Sequence, residues 1–135
     1  MDVPVTRQNP ITLPDAGLVG YSQISVVCPG RLAFVSGQVA WQRDGGAVSA
    51  DLAEQTRVVI ENLSHALDAL QAGPAQIVQM RIYMTDLRAE TQGVVMAQLG
   101  AFLAGAQPSL TGIGVSALAS PDLQLEIEMV VSVPG

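Results

Sequence analysis

The stretch LQLEIEMVVSV, residues 123–133, constrains the fold more tightly than any other part of the chain. Leu123, Leu125, Ile127, Met129, Val131 and Val133 alternate with Gln124, Glu126, Glu128, Val130 and Ser132. A period of two belongs to a β-strand with one apolar face. A slip of one residue would turn the whole apolar row outward, so burial of that row sets the register. The other face carries Glu126 and Glu128 in a chain of which only 13% is charged. Two acids in so uncharged a chain raise the question of what they face.

The remaining elements are arranged around this strand. Residues 1–17, rich in Pro, Asn and Asp, read as an extended lead-in. Residues 18–27 and 32–40 read as strands joined by the Pro-Gly turn of CPGR (28–31), forming a hairpin, and 42–48 as a Gly-rich loop. The spacing of Leu52, Val59, Leu63, Ala66 and Leu70 predicts a helix over 49–73, capped by Ser49 or Asp51 and ended by Gly73-Pro74. Residues 75–87 read as a strand, 91–104 as a second helix, 108–118 as a strand and 119–122 as a turn. The order β-β-α-β-α-β-β in 135 residues predicts one α+β domain over 1–135, a mixed sheet with both helices on one face.

Composition excludes several function classes. The net charge is −6 and no lysine is present, so six arginines carry all the positive charge. No stretch supplies the basic stripe that a phosphate backbone needs, which argues against a nucleic-acid partner. No apolar run reaches the roughly 20 residues of a membrane span. The opening residues lack the basic start and apolar run of a signal peptide, and one cysteine, Cys28, allows no internal disulfide. These features predict a cytoplasmic protein with no membrane association. The Ala, Val and Gly content without Lys points to a bacterial, GC-rich genome. The low charge content favours an oligomer.

Few residues are left for chemistry. No nucleophile triad, phosphate loop or dinucleotide fingerprint is present. The single histidine, His65, lies between Glu61 and Asp68 on the polar side of the first helix and excludes a His-rich metal site. Cys28 reads as a small structural thiol and Trp41 as a packing or interface anchor. Arg81 shares a strand face with Gln79 and Tyr83, in reach of Glu126 or Glu128 if the last strand lies in the same sheet. A structural ion pair is the first reading of that arrangement.

The segments YSQ (21–23), FVSGQV (34–39), DLAEQTRVVIENL (51–63), VQMRIYMTDL (78–87), Pro108 and LEIE (125–128) occur in an order that resembles the Rid/YjgF family of enamine/imine deaminases over residues 14–133. The resemblance implies a chorismate-mutase-like fold and a homotrimer with clefts between subunits. It also implies hydrolysis of 2-imino acids without metal or organic cofactor. By the same resemblance Glu126 positions or activates water and Tyr21 closes the pocket. Ser36 and Gly37 border the cleft, and Thr111 belongs to the family's P-x-R-[ST] motif.

That motif reads Pro108-Ser109-Leu110-Thr111 here. Leu110 stands where the family has a carboxylate-clamping arginine, Gly112 where it has cysteine, and Met96 where it has asparagine. A carboxylate against Leu110 loses a charge-assisted hydrogen bond worth about 1.5–3 kcal/mol. The changes describe a larger, less polar pocket. Three readings stay open at this point: a cleft that binds or hydrolyses a small, less anionic metabolite; a 2-imino-acid deaminase in which Arg81 or a neighbouring subunit replaces the clamp; and a non-catalytic binding or regulatory trimer. Endoribonuclease activity fits the charge least.

Overall fold

The structure is a computed structural model that describes residues 5–28 and 30–134. Its elements are β1 (Val5–Gln8), β2 (Ile24–Val27), β3 (Arg31–Gln38), α1 (Leu52–Leu70), β4 (Ile77–Met84), α2 (Ala89–Leu103), β5 (Ser109–Gly114) and β6 (Leu125–Val133). The alternating strand β6 sits inside a four-stranded sheet of order β3-β6-β4-β5, antiparallel to both its neighbours. Strands β4 and β5 are parallel and joined through α2, because a parallel pair needs a long crossover.

The core forms where the helices meet one sheet face. Leu125, Ile127, Met129 and Val131 of β6 and Met80, Ile82 and Met84 of β4 are buried there. Val59, Leu63 and Leu67 of α1 and Val95, Leu99 and Leu103 of α2 close over them. The i, i+4, i+8 spacing in each helix places these side chains in one stripe. Asp51 caps α1 by accepting from the Glu54 N–H at 3.2 Å. The helix stops at Leu70, before Gly73-Pro74, because Gln71 takes a left-handed conformation with φ 55°. Helix α2 begins at Ala89, and Thr91 Oγ1 accepts from the Arg88 N–H at 3.0 Å.

The expected α+β architecture is present, with two differences at its first strands. The expected hairpin between 18–27 and 32–40 does not form; Pro29 of its turn lies outside the described residues. Instead β2 pairs with β1, from within the expected lead-in, running from Val5↔Val27 to Gln8↔Ile24. Residues 1–4 of that lead-in are likewise outside the described residues. Strand β3 pairs with β6 because its apolar residues Ala33 and Val35 pack on the helix-side core. The β1–β2 ribbon is attached separately. Arg7 donates to Ser25 Oγ at 2.9 Å and to the Ile77 carbonyl at 2.7 Å, and the hydroxyls of Ser25 and Ser109 meet at 2.8 Å.

One buried polar side chain connects helix and sheet. Gln55 is fully buried in α1. Its Nε2 donates to the Ser49 and Asp122 carbonyls, each at 2.8 Å, and its Oε1 accepts from the Gln124 N–H at 2.9 Å. The amide is satisfied on both sides and fixes where β6 begins. Replacement by Ala leaves three backbone groups without this partner in a dry site. Gln55→Ala is expected to lower unfolding stability by about 2–4 kcal/mol in urea titration; a loss below about 0.5 kcal/mol would contradict the tether.

Candidate functional site

The helix-free face of the sheet carries the acids. Registers Tyr83↔Glu126 and Arg81↔Glu128 place both pairs there, opposite the buried row. Arg81 therefore shares the face with both glutamates, and it pairs with Glu128, Nη1 standing 3.9 Å from Oε1. The Tyr83 hydroxyl donates to the same carboxylate oxygen of Glu128. That hydrogen bond holds the Tyr83 phenol above its ordinary pKa of 10.0. Glu128 is a structural acid.

Glu126 differs. Among the described residues no hydrogen bond or ion pair involves its carboxylate, and the side chain is only half-buried. It lies across Gly37. A Cβ on Gly37 would stand 2.7 Å from Glu126 Cγ and closer still to the carboxylate. The cause is a bulge in β3. Val35 faces Met129 and Gln38 faces Ile127, so Ser36 and Gly37 together oppose Glu128. An extra residue at a bulge re-aims neighbouring side chains, and here a glycine is needed for close approach.

The remaining expected site residues divide between the two faces. Thr111, opposite Arg81 in the β4–β5 register, lies on the acid face with Ser36 and Gly37. Leu110 and Gly112 stand opposite Met80 and Ile82 and so lie on the helix side, where Leu110 packs against the core. With Met96 of α2 they line a pocket of about 60 Å³. Tyr21 is at the head of β5, because the next residue, Ser22, donates its N–H to the Pro108 carbonyl at 3.1 Å and bridges to Ser109. Within one chain the sheet separates Glu126 from Leu110, Gly112 and Met96.

Sequence reasoning missed Gln92 and Leu87, which also line that pocket, and the part Tyr83 takes in holding Glu128. Tyr83 was visible two residues beyond Arg81; nothing in the order of residues marks Gln92. His65 is exposed on α1, as its place on the polar helix side implies. Trp41 is 50% exposed, a large apolar surface left open beyond the end of β3. No helix among the described residues is long and apolar enough to cross a membrane.

The arrangement is that of a chorismate-mutase-like α+β domain. Residues 14–133 match the Endoribonuclease L-PSP family. The chain belongs to this family, the YjgF/Rid family. The RutC family protein YjgH of Escherichia coli K12 is 30% identical over 98 residues, 73% of this chain and 74% of that protein. The crystal structure of the Rid-family protein YyfB from Yersinia pestis is similar at a TM-score of 0.88 and 36% identity, covering 96% of this chain and 99% of that one. That of Rv2704 from Mycobacterium tuberculosis, of the YjgF/YER057c/UK114 family, is similar at a TM-score of 0.60 and 30% identity, covering 96% and 99%.

Two outcomes follow from this geometry. Gly37→Ala is expected to cost about 1–3 kcal/mol by overpacking. Most of that cost should disappear in a Glu126→Ala background, a coupling that a double-mutant cycle measures; independent, additive effects would contradict the close approach. In absorbance titration, Tyr83 is expected to ionise above pH 10 and to return toward it in Glu128→Gln. The sign is that of a raised folded-state pKa: the Tyr83 contribution to stability is complete below the unfolded pKa and lost as pH rises through the folded one.

Proposed function

We propose that the protein is a homotrimer whose intersubunit clefts bind a small metabolite and hydrolyse its C=N bond without a cofactor. Each cleft joins the Glu126 face of one subunit to the Leu110–Gly112–Met96 pocket of the next. The single observation that carries this reading is the Glu126 carboxylate, aimed by the Gly37 bulge and engaged by no neighbour among the described residues. The separation of the two residue groups by the sheet supports a site completed by a second copy. So does Phe34, which is 76% exposed on the acid face. The resemblance to the enamine/imine deaminases of the Rid/YjgF family supports this reaction class, and a net charge of −6 favours a small molecule over RNA.

In the proposed reaction Glu126 accepts a proton from water as the water oxygen adds to the imine carbon. The imine nitrogen gains a proton, and the resulting carbinolamine loses ammonia as its hydroxyl becomes a carbonyl. Imine and water thus give carbonyl compound and ammonia. A general base needs reach and an available carboxylate, and Glu126 is the acid that offers both. Arg81 does not take over a carboxylate clamp in this reading, because Glu128 already pairs with it.

Two imines with the same isopropyl group test the proposal. An amine oxidase acting on isobutylamine generates the neutral one, and an amino-acid oxidase acting on valine generates the anionic one. Carbonyl release is followed against trapping by semicarbazide. The protein is expected to accelerate release from the neutral imine, and Glu126→Gln to reduce that acceleration by about 10²-fold or more while sedimentation still shows a trimer. No acceleration of either imine, or full activity in Glu126→Gln, would overturn the reading.

A further inference from the structure

The pocket between α2 and the edge strand β5 has a definite chemistry. Met84, Leu87, Met96 and Leu110 form apolar walls, Gln92 is the polar side chain that lines it, and no ionisable residue among the described residues does so. The nearby arginine, Arg88 at the start of α2, is held by Asp86 through two contacts of 2.8 Å and by Glu90 at 3.6 Å. Arg81 is on the opposite face with Glu128. Within one chain, an anion entering this pocket would leave water and meet no cation among the described residues that line it, which is unfavourable. A hydrocarbon group would gain about fourfold in affinity per buried methylene.

Gly112 sets the room available. A Cβ built there meets nothing within 4 Å among the described residues, and Gly112 is exposed, so the missing side chain leaves open space at the solvent side of the pocket. The volume of about 60 Å³ is well below the roughly 150 Å³ of an apolar cavity that accepts benzene. That size suits a group of about three or four carbons.

We propose that this pocket is the specificity subsite of the cleft and takes a short, uncharged alkyl group of the ligand, with Gly112 and Leu110 setting its size and polarity. The assignment rests on the cleft reading for its place in a reaction, but binding tests it separately. The probes are isobutyramide and isobutyrate, equal in carbon skeleton and different in charge, titrated into protein labelled at Met and Leu methyl groups.

Isobutyramide is expected to move the Met96 and Leu110 methyl resonances with a Kd at least tenfold below that of isobutyrate. Gly112→Ala should weaken isobutyramide severalfold and Gly112→Val at least tenfold, with the unfolding midpoint unchanged because the added methyls enter open space. Equal or tighter binding of isobutyrate would overturn the assignment, as would an isobutyramide titration unaltered by Gly112→Val. Methyl shifts that persist when Glu126→Gln leaves turnover unchanged would support the subsite while removing the catalytic reading. Unmoved methyls beside Glu126-dependent turnover would remove the subsite alone.

Discussion

Strand β6 must satisfy two environments at once, and the rest of the structure is placed by how it does so. Its inner row, Leu125, Ile127, Met129 and Val131, is buried beneath both helices. Each such side chain contributes about 1.5–3 kcal/mol on leaving water. Because β6 lies between β3 and β4, its register decides which side of each neighbour faces the helices. Met80, Ile82 and Met84 follow it inward, and Arg81 and Tyr83 follow it outward. The acids are on the open face because the inner row cannot be.

Glu126 and Glu128 are two residues apart and chemically unlike. Glu128 receives a hydroxyl and a guanidinium from β4. Glu126 rests on a glycine, whose missing side chain is what admits the carboxylate. The distinction comes from β3, where one inserted residue changes the surface under one acid and leaves the other beside its partners. A strand bulge thus separates a structural acid from an available one.

Much of this was legible in the residue pattern, and the failures have physical causes. The alternation of β6, the stripe of α1 and the Arg81–Glu128 face could be read directly, because each is a repeat matched to one element's geometry. The partner of β2 could not. A Pro-Gly turn signals a change of direction, but strand pairing also depends on where Ala33 and Val35 are buried, which is a property of the assembled core. The Gln55 tether was equally hidden, since an amide in an amphipathic helix reads as solvated until its three backbone partners are known. The candidate site was legible as a set of residues through family resemblance, while its division across the sheet needed the β4–β5 register. Nothing in the positions of Leu110 and Glu126 along the chain says that they lie on opposite faces.

The buried polar side chains among the described residues are Ser22, Gln55, Thr56 and Ser132. None of them changes its charge in the ordinary pH range. An acid or a histidine in the place of Gln55 would have tied the junction of helix and sheet to a titration. With an amide there, the junction of α1 and β6 keeps its three hydrogen bonds and its neutrality across that range.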